Sequence, residues 1–404
     1  MKTVVRWQGK PAPHDWEFMG TTSDGYSAEM AARKSEGAEK AAASPKELVA
    51  FGQAGCTAID VVSTLQKMRQ NLRGLEISCD ITQTKEYPVV FDTCRMRYEV
   101  SGDDLDVPKV AHAVELSLLK YCGVSAMIER SGCRLRPELR INGHDVSIWD
   151  PLGVRSSSLR DWAGRMGEHC PNGIALVTGA SRGIGRALSR RLCELGYAVL
   201  PVARGKANGE RGSSEYEMVY LDLTTELSRF AVLELVRNSG VRIGLAVHNA
   251  GILEERATNA SEVDYFELRR VFETNLFATA DFNRELAPLM GTGSTILFVS
   301  SYMGLPSSND FDFSSYRLSK CALTLYAREY GREMLHLKRD VAVAALHPGS
   351  VCTQMNPEGD LSVEQSAHRI CLLLAKGMRS AMLERNGDFW MVSAKEDAIK
   401  PWTI

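Results

Sequence analysis

The chain has 404 residues, 44% apolar and 24% charged, with a formal net charge of -2, which is ordinary globular composition at a length sufficient for two or three separately cored domains. That balance gives no electrostatic footprint for nucleic acid or an anionic membrane, and no run of five like charges occurs. The opening MKTVVRWQGK has no apolar stretch of signal-peptide length and no segment approaches an 18-residue apolar span, so a cytoplasmic protein is expected. The ten cysteines are dispersed, with no CxxC pair and no His/Cys grouping at zinc spacing, so no metal site is read from them.

Residues 1–147 read as an α+β domain. Strands are expected near Val4–Trp7 and Tyr26–Met30, and the Ala-rich stretch Ala28–Ala43 as a loop or frayed helix. SPKE at Ser44–Glu47 is a capping box with Pro45 at the first helical position. The helix it opens runs to about Leu72. Strands at Leu75–Thr82 and Val89–Val100 follow, then a helix from Pro108 to Tyr121, a shorter one from Ser125, and a strand at Arg136–Asn142. Residues 148–172, with Pro151, Gly153, three serines and Pro171, read as a linker containing a short helix at Leu159–His169. From Gly173 to Ile404, continuous apolar runs alternate with helical patterns: Ile174–Thr178, Ala198–Val202, Met218–Leu221, Leu245–His248, Thr295–Val299, Val341–Leu346 and Asp388–Val392. Such runs predict an α/β domain with a parallel sheet covered on both faces.

The turn TGASRGIG, Thr178–Gly185, closes the first of these strands. Gly179 permits the turn, and Gly183 and Gly185 let the backbone and the following helix N-terminus approach a pyrophosphate, with Ser181, Arg182 and Ile184 completing the loop. The second strand, AVLPVAR, ends in Arg204, and no acid lies between Leu195 and Gly209. An acid is usual there when the ribose is unphosphorylated. Arg204 and Arg182 are therefore either counter-charges for a 2′-phosphate, favouring NADP(H), or solvated surface groups. Tyr316 and Lys320 in SYRLSK share a helix face. A cation beside a phenol lowers its pKa toward neutrality, so Tyr316 is the expected proton donor to a carbonyl oxygen and Ser301, in ILFVSSYMG, its hydrogen-bond partner.

With HNAG at His248–Gly251 and Asn275 in ETNLFA, residues Gly173–Ile404 resemble a short-chain dehydrogenase/reductase, and the ending LSVEQSAH…NGDFWMV…IKPW is similar to the C-factor and sniffer-like carbonyl reductase branch. The resemblance implies a doubly wound Rossmann domain with a seven-stranded parallel sheet, NADP(H) as cofactor and a carbonyl substrate. It implies a tetrad of Asn275, Ser301, Tyr316 and Lys320, with Lys320 also on the nicotinamide ribose and Asn275 supporting a proton-relay water. It also implies cofactor contacts from Asp222 and Leu223 in YLDLT, from Asn249, Ala250 and Gly251, and from Pro348 and Gly349 in HPGSV. His248 stands where the family usually has Asn, which introduces a titratable group near the cofactor. Val351–Leu361 is the lid candidate.

In the first domain, Cys56 lies about three turns into its helix, beyond the reach of the N-terminal dipole, and Asp60 one turn on disfavours a thiolate. These residues alone read as a packed cysteine. AGCTAIDVVSTLQKMRQ and KYCGVSAMIE nevertheless resemble an OsmC/Ohr-type domain, whose peroxidase members reduce organic hydroperoxides through two cysteines matching Cys56 and Cys122, are recharged by an external dithiol, and form intertwined dimers. That family activates its thiol with Arg and Glu. Here Lys46 stands at the Glu position, Gly123 replaces a proline, Glu47 is half a helical turn out of phase with Cys56, and Arg33 is the one arginine nearby. The expectation is an NADPH-dependent carbonyl reductase, as a homodimer or higher homo-oligomer, carrying a hydroperoxide-reducing domain. The alternative makes that domain a dimerisation or redox-sensing module.

Overall fold

The computed structural model describes residues 2–7, 16–32, 41–150, 154–169, 172–204, 218–253, 259–308, 312–374, 378–393 and 398–402. It divides into two compact units, Met1–Leu152 and Gly153–Ile404.

In the first unit, β1 (Thr3–Trp7), β2 (Glu17–Thr22) and β3 (Ser27–Ala31) form an antiparallel sheet in that order. Helix α1 (Pro45–Lys67) starts at the expected capping box, Ser44 accepting from the Glu47 N–H while the Glu47 carboxylate accepts from the Ser44 N–H. Its buried row, Gln53, Thr57, Val61 and Leu65, repeats every fourth residue and so forms one stripe. Next come β4 (Asn71–Gln83) and β5 (Phe91–Asp103), a long antiparallel pair. On β5, Cys94, Met96, Tyr98 and Val100 are buried while Arg95, Arg97 and Glu99 between them are exposed, the period of a sheet with one wet face. Helix α2 (Val107–Leu116), a π-helical turn Ser117–Tyr121, and α3 (Gly123–Arg130) lead into β6 (Arg134–Ile141), parallel to β5, and β7 (His144–Val146).

Strands β2 and β7 were not expected from the sequence; β7 has only three residues and neither strand alternates cleanly. The strand at Ser27–Ala31 takes the start of the expected Ala-rich loop, of which residues 33–40, with Arg33, lie outside the described residues. Helix α1 stops at Lys67, short of Leu72, because Arg69 at φ 55° turns the chain. By length and composition α1 is also apolar enough to cross a membrane, contrary to the expectation that no segment approaches a span. The buried Gln53 and Thr57 on its inner face bond to groups of β5 and the π-turn.

The second unit begins with α4 (Val154–His169), which occupies most of the expected linker and buries Leu159 and Trp162 in the unit's core. In chain order follow β8 (Ile174–Thr178), α5 (Gly183–Glu194), β9 (Ala198–Ala203), β10 (Val219–Tyr220), α6 (Glu226–Ser239) and β11 (Ile243–His248). Then come α7 (Tyr265–Phe272), a π-helical turn Glu273–Phe277, α8 (Ala278–Leu286), β12 (Met290–Val299), α9 (Ser314–His336) and β13 (Val341–His347). The unit closes with α10 (Val363–Cys371), α11 (Met378–Glu384), β14 (Phe389–Val392) and β15 (Ile399–Trp402). The sheet order is β10-β9-β8-β11-β12-β13-β14-β15. The strands from β10 through β14 run parallel, and the order reverses between β8 and β11, the switch point of a doubly wound sheet.

The expected count of seven strands is corrected to eight: β15 pairs antiparallel with β14 at the edge. Pro401 within it masks the strand in the sequence and is tolerated because an edge residue need not donate to a ladder. Two cores flank the sheet. Leu159, Val232, Phe282 and Leu323 pack on one face, and Leu188, Leu192, Ile370 and Met382 on the other. Every residue of β8 is buried, Leu176 into the first core and Val177 into the second, which is why Ile174–Val177 is a continuous apolar run, and Thr178 at its end is polar with its hydroxyl bonded.

Candidate active site

A cleft of about 720 Å³ opens at the C-terminal ends of β8 and β11. The turn after β8 and the turn after β11 are joined by short bonds. Thr178 Oγ1 accepts from the Asn249 and Ala250 N–H groups at 3.0 Å each, and Asn249 Nδ2 donates to Thr178 O at 2.9 Å. Gly179 has φ 68°, and a Cβ on Gly185 would lie 2.4 Å from both Asn249 Nδ2 and Gly179 O. Those glycines are fixed by packing within the protein. Gly183, at φ 55°, has only Thr353 Cγ2 near its Cβ position and leaves space in the cleft. No side chain caps α5 at Arg182, so its first N–H groups face the cleft with the positive end of the helix dipole.

Of the residues expected to bind cofactor, Gly179, Ser181, Arg182, Gly183, Ile184, Gly185, Arg204, Asp222, Leu223, Asn249, Ala250, Gly251, Tyr316, Lys320 and Pro348 line this cleft. Asp222 Oδ1 accepts from the Thr224 N–H and hydroxyl. Arg182 donates to Gln354 in the Val351–Leu361 loop. That loop is closed at its base by Cys352 N–H to Leu361 O at 2.8 Å and Leu361 N–H to Ser350 O at 2.9 Å. Gly349 lies outside the lining; at φ 92°, a Cβ there would sit 2.5 Å from Leu361 Cδ1, so this glycine seats the loop.

The Lys320 ammonium is 5.6 Å from the Tyr316 ring centroid and donates to Val299 O at 2.8 Å. Burial pushes its pKa down to about 8 because the charged form loses solvation. The Asn275 side chain accepts from Ile252 N–H at 2.8 Å and gives its two amide hydrogens to Ile252 O and Ser319 Oγ. It sits in the π-helical turn between α7 and α8, a local widening that recurs at functional sites. Ser301 Oγ accepts from Met303 N–H, which leaves the hydroxyl proton for another acceptor. Ser301 and Asn275 are not among the lining residues, although their neighbours Ser300 and Thr274 are.

His248 does not line the cleft. It is buried, stacked on Phe298, with Nε2 against Asn283 Oδ1 at 3.1 Å, and burial lowers its pKa to about 4. The contributors missed include Thr178, Ser319, Gln354, and His347, whose Nδ1 accepts the Tyr302 N–H at 3.1 Å and so holds the turn after Ser301. Thr178, Ser319 and His347 lie within the motifs TGASRGIG, SYRLSK and HPGSV, and Gln354 within the lid candidate Val351–Leu361, which was the available signal.

In the first unit, Cys56 Sγ, Cys122 Sγ and an Asp60 carboxylate oxygen lie within 4.8 Å of one another. Cys122 is the N-cap of α3, its sulfur accepting from Ser125 N–H at 3.4 Å. Burial raises its thiol pKa, against the pull of that bond. Glu47 stays in the capping box, and Lys46 donates to Gln83 Oε1 and Val89 O.

The short chain dehydrogenase family model matches residues 173–362, and the OsmC-like protein model matches residues 37–138. The chain belongs to both families. Protein YhfA of Escherichia coli (strain K12) is 37% identical over 114 residues, 28% of this chain and 82% of that protein. Benzil reductase ((S)-benzoin forming) IRC24 of Saccharomyces cerevisiae is 30% identical over 198 residues, 46% of this chain and 74% of that protein. Among solved structures, a short chain dehydrogenase from Burkholderia cenocepacia J2315 in complex with NADP is 24% identical, with a TM-score of 0.48, and covers 56% of this chain and 98% of that one. The short-chain dehydrogenase half is thus an oxidoreductase, preceded by an OsmC-like domain.

Proposed function

We propose that the second unit is an NADPH-dependent carbonyl reductase. The observation that carries this reading is Lys320, buried and cationic beside the Tyr316 ring, in the same cleft as the uncapped N-terminus of α5. The residues fit a nicotinamide dinucleotide: Gly183 leaves room where a pyrophosphate would approach free N–H groups, and Arg204 and Arg182 offer charge to a 2′-phosphate. When bound, the dinucleotide supplies the hydride. The chain's own residues handle the proton. Ser301 directs its hydroxyl hydrogen to the substrate oxygen, Tyr316 gives that oxygen its phenolic proton, and Lys320 stabilises the phenolate left behind. Asn275, with its amide committed to Ile252 and Ser319, holds the helix turn beside Lys320, where a relay water would return the proton.

The benzil reductase relative makes 1,2-diketones the first substrates to try. Purified protein should oxidise NADPH when given benzil or an aromatic aldehyde, and Tyr316→Phe should slow that by on the order of 10²–10⁴ while still binding NADPH. Failure of every carbonyl tested, with NADPH bound, would leave a cofactor-binding sensor.

A second activity is favoured by the closeness of the two sulfurs in the OsmC-like domain. Cys56 attacks the hydroperoxide O–O bond, releasing the alcohol and becoming a sulfenic acid. The Cys122 thiol condenses with it, expelling water, and an external dithiol reduces the resulting disulfide. The check is cumene hydroperoxide consumption with dithiothreitol and no nicotinamide. Loss in Cys56→Ser supports turnover here; rates equal to background make the domain a dimerisation or redox-sensing module. A homo-oligomer and a cytoplasmic setting accord with both readings.

A further inference from the structure

We propose that the reduced OsmC-like domain binds one soft divalent cation, with zinc as the test case, through Cys56 Sγ, Cys122 Sγ and the Asp60 carboxylate. The three ligand atoms lie within 4.8 Å of one another. Tetrahedral zinc with metal–sulfur bonds of about 2.3 Å places two sulfurs about 3.8 Å apart. Closing the set therefore asks for shifts of up to about 1 Å, within the reach of side-chain rotation.

The fold delivers these ligands from two elements. Cys56 and Asp60 are four apart on α1 and share a face. Cys122 arrives from the end of the π-helical turn Ser117–Tyr121, where it caps α3. The Ser125 N–H at this helix N-terminus bonds the sulfur and offsets part of the burial that disfavours its thiolate. The carboxylate is oriented from behind. Ser117 donates to Asp60 Oδ2 at 3.2 Å, and since a hydroxyl has one proton it must accept from Thr57, 2.7 Å away. Thr57 must in turn accept from the Tyr98 hydroxyl at 3.0 Å. Thr57, Ser117 and Tyr98 are fully buried, and burial keeps Tyr98 protonated. The chain of hydroxyls is thus directed from Tyr98 to Asp60, the kind of outer support that metal ligands use.

Asp60 has no ion-pair partner among the described residues, and two thiolates beside it would repel one another and the carboxylate. A divalent cation removes that conflict. The site binds M²⁺ as the two thiols release two protons to solvent, so the set carries a single negative charge both before and after binding. Thiolate ligands select soft or borderline ions, and one carboxylate is compatible with zinc. Cys56 and Asp60 are half-buried and Cys122 is buried, so a cation reaches the set from the Cys56–Asp60 side. Three protein ligands leave a fourth position to water. This inference goes beyond the hydroperoxide reading, and the two exclude each other at any instant, because a disulfide removes both sulfur ligands.

The test uses full-length protein, reduced and treated with chelator, titrated with Co²⁺ and then Zn²⁺. The expected result is one equivalent of Co²⁺ with thiolate-to-cobalt charge-transfer and tetrahedral ligand-field bands, displaced by Zn²⁺, with about two protons released per metal near neutral pH. Cys56→Ser and Cys122→Ser should each lose the charge-transfer signature. Serine is itself a good N-cap, so the second variant keeps α3 capped, and far-UV circular dichroism verifies the fold of both. Asp60→Asn should weaken binding at least as much as loss of a supporting partner, roughly 10–100-fold. Three results overturn the proposal: no saturable cobalt spectrum, a spectrum that survives both cysteine variants, or wild-type affinity in Asp60→Asn. Hydroperoxide turnover is measured separately in metal-free protein, so neither result decides the other.

Discussion

Replacing Lys320 by Met should destroy activity and yet remove a pH-dependent stability penalty. The Lys320 pKa falls from 10.5 to about 8 through burial. A tenfold change in a proton-binding constant is worth about 1.4 kcal/mol, so holding the ammonium in the folded protein costs about 3 kcal/mol at neutral pH. The sign follows from proton counts. Between pH 8 and 10.5 the unfolded chain binds the proton and the folded one does not, so stability rises with pH across that window. The penalty is complete below about pH 8 and gone above about 10.5. Met cannot donate to Val299 O, and the orphaned carbonyl costs about 1–3 kcal/mol, but that cost does not change with pH. The informative quantity is therefore the difference between wild type and Lys320→Met at two pH values. From about pH 7 to about pH 9.5 the wild type should gain about 2 kcal/mol on the variant, equivalent to roughly 4–8 °C in the melting of a domain this size. Calorimetry should follow the second unit's transition, identified as the one NADPH raises. A difference that stays constant with pH would refute the argument that desolvation controls this lysine. Consistently, kcat/KM should fall above about pH 8 as the free enzyme loses the ammonium.

Tyr316→Phe should lower kcat by on the order of 10²–10⁴ with NADPH affinity intact, read by single-turnover NADPH oxidation and by fluorescence titration. Arg204→Glu should weaken NADPH by roughly 10–100-fold, the worth of one or two charge-assisted bonds, and spare NADH; equal losses for both dinucleotides would remove the 2′-phosphate assignment. His248 and His347, both lowered to about 4 by burial, are neutral in the fold and charge on unfolding, so stability should drop as pH falls from about 6.5 toward 4. At about pH 5 unfolding should take up about two protons more than in a His248→Asn, His347→Asn double variant, measured from the pH dependence of the urea midpoint. Gln354→Ala frees the Arg182 guanidinium from the loop, and NADPH should then bind at least as tightly as in the wild type.

The cleft was legible because its chemistry depends on local spacing. Gly179, Gly183 and Gly185 answer to one turn, and Tyr316 and Lys320 to one helical face. Strand β8 was equally plain, since burial on both sides leaves Ile174–Val177 continuously apolar. What escaped the sequence depends on long-range placement or on departures from regular helix. Strand β15 carries a proline that only an edge position tolerates, and β7 is too short to show a period. The two π-helical turns have no residue signature, yet one positions Asn275 and the other carries Ser117 and ends at Cys122. An extra residue in a helical turn rotates everything after it by about a quarter turn. In the first unit that changes how Asp60 reads. On α1 alone it is a charge four residues from a thiol, and repulsion argues for a quiet packed cysteine. With Ser117 and Cys122 brought to it by the π-turn, the same carboxylate becomes the end of a directed hydroxyl chain and the third corner of a two-sulfur cluster. A helix taken by itself could not show that arrangement, because its other members come from residues about 60 positions further along the chain.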